Sequence, residues 1–295
     1  MTDQAQSLRQ LVSAQRTEEL QDPSARTAKI ITVTSGKGGV GKSNFTLNFA
    51  LALQALGKKV LVFDADIGMA NIDVLMGVSS PYNLHHLLQR EKRMEEIIQY
   101  GPQQLPFIAG GSGMSNMFSL SEEELHYFMT QIETVSDGMD YIIFDTGAGL
   151  SKETMKFITS ADQCIVVTTP EPTSITDAYA LIKVVHVTEP SVPFSLIINR
   201  AGDDGEAKEA SDKIILTAQR FLELDIKLLG KVTDDPHVVQ SVKRQVPFIV
   251  AHPRCEASRD IQRIALRYIA APAPQEAAIP KGIKGFMHRW LRRSK

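Results

Sequence analysis

The sequence predicts an α/β fold: a doubly wound, mostly parallel sheet flanked by helices. Three observations predict it. Short runs rich in β-branched and aromatic residues recur from residue 30 to residue 199. They are apolar along nearly their whole length instead of alternating, and helical stretches separate nearly all of them. Strands that are apolar on both faces need cover on both faces, which a parallel sheet with right-handed helical crossovers provides.

Taken in order, residues 1–28 are polar and Gln-rich, with Leu8 and Leu11 spaced for a short helix and Pro23 interrupting it. They read as an appendage, too poor in apolar residues to form a domain. Strands are expected at 30–34, 60–64, 105–109, 141–145, 164–168 and 194–199, where Val, Ile, Leu and Phe run together. Helices are expected at 43–56, 121–135, 152–160, 173–187 and 206–224, and two more at 236–244 and 255–270. The body therefore spans 29–270. Residues 271–281, which include APAPQEAAIP, have the composition of a linker. Residues 282–295 then place Ile283, Phe286, Met287, Trp290 and Leu291 on one helical face, with basic residues largely on the other.

Charge and cysteine usage narrow the function classes. The net charge is −2, yet the last fifteen residues carry six basic groups and no acid, which leaves 26 basic against 34 acidic residues elsewhere. An acidic body is poorly suited to meeting phosphates along DNA, so no nucleic-acid partner is expected. Cys164 and Cys255 are the two cysteines, too few and too far apart in sequence for a disulfide framework, clustered zinc thiolates or an iron–sulfur cluster. The polar start has no signal-peptide core and no run reaches membrane-spanning length, so a cytoplasmic location is expected.

The chemistry concentrates after the first strand. Gly36-Lys37-Gly38-Gly39-Val40-Gly41-Lys42-Ser43 matches G-x-x-x-x-G-K-[ST] between an expected strand and an expected helix. Its glycines let successive backbone N–H groups wrap phosphates, and the helix N-terminus, which continues through Asn44, adds its positive dipole end. Lys42 is placed to neutralise the β/γ-phosphates and the Ser43 hydroxyl to ligate Mg²⁺. Asp66 follows the second strand and Asp145 follows Tyr141-Ile142-Ile143-Phe144. An Asp at a strand end reads either as a helix cap or as a metal or catalytic carboxylate.

The second lysine, Lys37, makes the motif resemble the deviant Walker A loop of the MinD/ParA ATPases, a likeness that extends over about residues 28–270. The resemblance implies a P-loop NTPase that takes ATP and Mg²⁺ and forms a nucleotide-sandwiched homodimer. It gives Lys37 the task of reaching the partner's phosphates, a cation supplied in trans. Asp64-Ala65-Asp66-Ile67-Gly68-Met69-Ala70-Asn71 is similar to the family's switch I, in which Asp66 orients the attacking water and lies at the metal. Asp145-Thr146-Gly147-Ala148-Gly149 is similar to switch II, with Asp145 holding Mg²⁺ through water. Asn199-Arg200 matches the pair that contacts adenine, and Asp234-Asp235-Pro236 lies where the family packs against the base.

Both termini narrow the likeness. Asp3-Gln4-Ala5-Gln6-Ser7-Leu8-Arg9 matches the D-Q-A-x-x-L-R segment of the FlhG family of flagellar MinD-like regulators, which implies that Asp3, Gln4, Ala5, Leu8 and Arg9 dock on an FlhF-type GTPase and stimulate it. The family also implies flagellar C-ring proteins as partners. Met69-Ala70 stands where MinD proteins commonly carry Leu-Arg. The paired cysteines of the fold's iron–sulfur relatives are absent. For the tail, the functional reading is a helix lying on an anionic membrane surface through Ile283, Phe286, Met287, Trp290 and Leu291, which makes the protein peripheral at the inner face of the membrane. The other reading is a helix packed on the domain. The rival function is a ParA- or MinD-type ATPase that positions DNA or division cargo.

Overall fold

In the computed structural model the described residues are 27–66, 71–110, 122–271 and 282–292. The strands are β1 (Lys29–Ser35), β2 (Val60–Ala65), β3 (Ile98–Tyr100), β4 (Pro106–Ile108), β5 (Tyr141–Ala148), β6 (Gln163–Thr168), β7 (Phe194–Ala201) and β8 (Lys227–Thr233). They form one sheet in the order β3-β4-β2-β5-β1-β6-β7-β8. Each pairing is parallel except β3 with β4. Because successive side chains point to opposite faces, Ile31, Val33, Ile143, Ile165 and Val167 enter one core layer. Ile30, Ile142, Phe144, Cys164 and Val166 enter the other.

Helices α1 (Lys42–Ala55), α2 (Ile72–Met76), α3 (Leu84–Leu88), α4 (Met94–Ile97), α5 (Glu122–Ser136), α6 (Lys152–Ser160), α7 (Pro172–Thr188) and α8 (Asp204–Leu222) are followed by α9 (Pro236–Arg244), α10 (Phe248–Ala251), α11 (Glu256–Ala270) and α12 (Gly282–Arg292). On the first face Phe45 stacks on Phe49 with 5.3 Å between ring centroids, and Tyr268 of α11 meets Phe49 edge-on at 5.3 Å. The doubly wound expectation holds. The chain order places β1 between β5 and β6, so consecutive connections leave to opposite sides there, and this is where such sheets hold ligands beyond their carboxyl ends.

The sequence reading misses two edge strands, β3 and β8. Three-residue β3 is exposed at Tyr100, and β8 carries exposed Lys227 and Leu228 together with Gly230, so neither reads as a buried strand. Gly230 has a packing reason: a Cβ there would lie 2.7 Å from Ile264 Cγ1, so its absence lets α11 close on the sheet.

The tail differs most from the expectation of a separate membrane-facing element. In this structure α12 packs on the domain, burying Ile283, Phe286, Met287 and Trp290 in the core layer that holds Phe63, Phe128, Phe144 and Phe157. Phe286 stacks on Phe144 at 5.1 Å, and Trp290 meets Phe157 edge-on at 4.9 Å. Arg289 Nη2 pairs with Asp162 Oδ1 at 2.8 Å, and its Nε donates to the Ser160 carbonyl. Asp162 Oδ2 accepts from the N–H groups of Ile30 and Gly282. Leu291 stays 37% exposed, with Lys284 and His288 also outward. A stripe with this apolar area finds a protein surface as favourable as a lipid one. No helix among the described residues is long and apolar enough to cross a membrane. The expected GTPase-docking segment (Asp3, Gln4, Ala5, Leu8 and Arg9), residues 272–281 of the linker, and Gly68, Met69 and Ala70 lie outside the described residues.

Candidate active site

The loop after β1 takes the course its glycines permit. Gly39 and Gly41 have φ of +80° and +88°, in the left-handed region that favours glycine. Gly36 is required by contact: a Cβ there would lie 2.3 Å from the backbone C and O of Asp177 in α7. At Gly38 and Gly39 a Cβ would meet nothing within 4 Å, so the loop faces an open cleft. That cleft, about 640 Å³, is lined by Gly38, Gly39, Gly41, Lys42, Ser43 and Asn44 on one side and by Asp66, Gly147, Ser151 and Thr154 on the other.

The Lys42 ammonium lies 3.1 Å from Asp145 Oδ1 and 3.2 Å from Ser43 Oγ, and is 93% buried. Asp145 also accepts the Thr46 hydroxyl at 2.7 Å. Sequence reasoning gives Lys42 to phosphate and Asp145 to metal; here they hold each other, a buried pair that entering anionic oxygen can share. Asp64, which the motif reading passes over, stands opposite Asp145 in the pairing of β2 with β5. Its Oδ1 accepts from the Asp66 N–H, and its Oδ2 from the N–H groups of Asn71 and Ile72. Burial and the nearby Asp145 charge push the Asp64 carboxyl up to about 7, against the pull of those three donors. The signal for it was present as the first carboxylate of Asp64-Ala65-Asp66 at a strand end.

Asp66 faces switch II: a Cβ on Gly147 would stand 3.5 Å from Asp66 Oδ1. Lys37 points away from the cleft. Its Nζ lies 3.3 Å from Glu171 Oε2 and 3.1 Å from Thr173 Oγ1 at the start of α7, on exposed side chains. The sequence reading misses Ser151 as a cleft residue; its hydroxyl caps α6 by accepting from the Thr154 N–H.

A second cleft, about 870 Å³, adjoins the first, with Gly41, Asn44 and Arg200 lining both. Asn199, Asp234, Asp235, Val238, Val239 and Phe248 contribute to its walls. Asn199 does more than the motif suggests: its Nδ2 donates to the Val40 carbonyl at 2.7 Å, bracing the loop, and a Cβ on Gly41 would strike that same nitrogen at 2.3 Å. One amide hydrogen expected at a base edge is thus committed to the loop. Pro236 occupies the first turn of α9 behind the Asp235 cap and does not line the cleft.

These features fit a nucleotide with Mg²⁺. The open space at Gly38 and Gly39 leaves room for a phosphate beside the loop backbone, and the hard oxygen donors of Ser43 and Asp66 on the same cleft suit Mg²⁺. Known proteins agree. The ParA family model, described as a NUBPL iron-transfer P-loop NTPase, matches residues 26–269. The antiactivator FleN of Pseudomonas aeruginosa is 33% identical over 88% of this chain and 91% of its own length. The flagellum site-determining protein YlxH of Helicobacter pylori is 35% identical over 99% of both. Among solved structures, the septum site-determining protein MinD of Pyrococcus horikoshii, complexed with Mg-ADP, superposes with a TM-score of 0.64 at 25% identity, covering 83% of this chain and 100% of that one. The enzyme hydrolyses ATP and uses Mg²⁺. With its glycine cradle, its two loop lysines and relatives matched over nearly their whole length, this chain belongs to the ParA/MinD family of P-loop ATPases, in the group of FleN and YlxH.

Proposed function

We propose that this positioning ATPase is a monomer–dimer switch that sets flagellar number and placement, reaches the membrane reversibly through α12, and stimulates an FlhF-type GTPase through its N-terminal segment. The observation that carries the reading is α12 itself: an amphipathic helix with basic residues, docked by its apolar face and latched through Arg289 to Asp162. Such a latch can be opened by a second state, and an anionic surface is a competing partner for the same face.

In the dimer Lys37 leaves Glu171 and neutralises phosphate on the facing copy, which makes charge stabilisation conditional on dimerisation. Lys42 and the loop N–H groups hold phosphate in cis, Ser43 and Asp145 place Mg²⁺, and Asp66 orients the water. When bound there, Mg²⁺ would supply positive charge to stabilise the phosphate as charge develops on it. Arg200 and the walls of the second cleft receive the base, with Asp234 and Asp235 beside it. Hydrolysis resets the switch, and flagellar C-ring proteins read its state.

Light scattering and liposome sedimentation test this together. ATP should give a dimer that sediments with anionic vesicles, ADP a monomer that does not, and a peptide of residues 1–22 should accelerate GTP hydrolysis by the GTPase. Equal sedimentation with ATP, ADP and neutral lipid would remove the nucleotide-coupled switch. ATP-dependent binding to non-specific DNA in its place would establish the ParA-type alternative.

A further inference from the structure

Three helix ends meet at the rim of the second cleft. Asp235 caps the N-terminus of α9, His237 stands in its first turn, His252 ends α10 and Cys255 precedes α11. One ligand atom from each of Asp235, His237 and Cys255 lies within 4.8 Å of the others. We propose that these three side chains, with His252 as the fourth ligand, form a binding site for a borderline divalent transition metal of the Zn²⁺ class.

The donor chemistry selects the ion. A carboxylate oxygen, an imidazole nitrogen and a thiolate are the mixed set that Zn²⁺ takes in tetrahedral geometry, whereas Mg²⁺ demands oxygen donors. His237 Nδ1 lies 2.7 Å from Asp235 Oδ1. Two ligands of one metal stand slightly further apart, so the ion replaces the shared proton after a small opening. Asp235 and Cys255 both stand at helix N-termini, where the dipole complements the charge of a bound anionic ligand group. One carboxylate and one thiolate balance a divalent charge.

His252 is the independent observation. Its Nε2 is buried and has no hydrogen-bond partner. A buried ring nitrogen left in this way costs free energy unless something fills it. Its ring lies 4.6 Å from that of His237, centroid to centroid, and since its nitrogens stand outside the 4.8 Å cluster of the other three donors, ligation by His252 takes a movement of its ring. The backbone around it is well held: His252 N–H donates to the Phe248 carbonyl, and its own carbonyl accepts from the Ser258 hydroxyl and the Cys255 N–H. Pro236 and Pro253 stiffen the two short ligand pairs, Asp235-x-His237 and His252-x-x-Cys255. The cysteine count rules out a multi-thiolate centre, but it says nothing against one thiol with two imidazoles. The set draws on two segments, the first ending at His237 and the second beginning fifteen residues on at His252, and the fold has to bring them together.

The chain's cysteine usage makes a clean test. Cys164 is fully buried in β6, where burial pushes its thiol far up, so a thiolate bound to an added ion reports Cys255. Full-length protein stripped with chelator is held in saturating MgADP, which keeps the phosphate site filled, and titrated with Co²⁺ and then Zn²⁺. The expected result is one equivalent of Co²⁺ with a thiolate-to-cobalt absorption band, bleached by one equivalent of Zn²⁺. Cys255→Ser should lose the band while still binding MgADP, Cys164→Ala should keep it, and His237→Ala and His252→Ala should each weaken Co²⁺ affinity by about tenfold or more. Absence of the band from wild type overturns the site. So does Zn²⁺ binding that survives unchanged in Cys255→Ser, because the ion then sits elsewhere. A His252→Ala variant with wild-type affinity removes His252 from the set.

Discussion

Asp162→Asn is the sharpest perturbation of the proposed switch because it leaves every residue of the tail native. Asp162 Oδ1 holds the Arg289 guanidinium at 2.8 Å, with the two side chains 7% and 18% exposed. Asp162 Oδ2 holds the N–H groups of Ile30 and Gly282 at 2.9 and 3.0 Å. In the Asn variant the amide oxygen keeps those backbone donors, which turns its NH₂ toward Arg289, donor against donor. The loss is a charge-assisted hydrogen bond with little solvent screening, worth about 1.5–3 kcal/mol. At 1.4 kcal/mol per factor of ten, the docked-to-undocked ratio of α12 should fall by about 10- to 150-fold. Trp290 is the one tryptophan of the chain and is buried between Phe157 and Phe286, so its emission reads docking directly. Asp162→Asn should shift that emission to the red in the ADP form and should sediment with anionic vesicles without ATP, where wild type does not. Unchanged emission would show that the apolar contacts alone hold the helix. A red shift without vesicle binding would show that the tail is not the membrane element.

The phosphate site gives four more expectations. Lys37→Ala should abolish hydrolysis yet leave MgADP affinity within a few-fold, since the exposed pair it forms with Glu171 is worth at most about 1 kcal/mol; titration calorimetry beside a turnover assay checks this. Asp66→Ala should accumulate as the ATP dimer by light scattering, because the phosphate-holding groups stay while the water-orienting one is lost. Gly36→Ala should displace the loop from α7, at about 1–3 kcal/mol of stability by thermal melting and with loss of nucleotide binding. Asp64 carries a pH signature. Its carboxyl is raised to about 7, so between the unfolded value of 3.8 and that point the folded state binds the extra proton. Its contribution is therefore present at the acid end and lost as pH rises through 7. The melting temperature of wild type should fall relative to Asp64→Asn from pH 5 to pH 8, and a parallel pair of curves would refute the raised value.

What was legible in the sequence follows from local physics. The loop from Gly36 to Ser43 could be read because each glycine answers a local demand, and the strand-to-helix context lies within fifteen residues of it. Helices α6 and α9 match the expected 152–160 and 236–244 to the residue, and the structure shows why their starts are sharp: Ser151 caps the first, and Asp235 followed by Pro236 opens the second. The edge strands were not legible, since β8 is half exposed and broken by Gly230, whose purpose appears only with Ile264 across from it. Four helices of five residues or fewer escaped because they are too short for a periodicity. In the site, Lys42 and Ser43 were readable from spacing, but the grip of Asn199 on Val40 and the burial of Asp64 join residues far apart in sequence. The tail's amphipathic face was evident; which surface it meets was not, because hydrophobic burial is non-directional and a stripe of Phe and Trp carries no address.

The route between nucleotide and tail lies in two elements that serve both. On β5, Asp145 meets Lys42 on the cleft side, and the preceding residue, Phe144, points to the opposite face, where it stacks on Phe286. On α6, Ser151 and Thr154 line the phosphate cleft, while Phe157, one turn on, touches Trp290. The carbonyl of Ser160, which ends that helix, accepts from Arg289. A shift of α6 by a fraction of a turn would leave the strand in place yet break the Phe157–Trp290 contact and the Ser160 hydrogen bond together. Close-packed aromatic contacts of this kind switch between discrete arrangements instead of deforming smoothly. Contiguity supplies the path, and the bias is what has to be measured. If nucleotide acts through α6, Phe157→Leu should lower the ATP dependence of vesicle binding, while Lys37→Ala, which leaves α6 untouched, should lower dimerisation first and vesicle binding only in proportion.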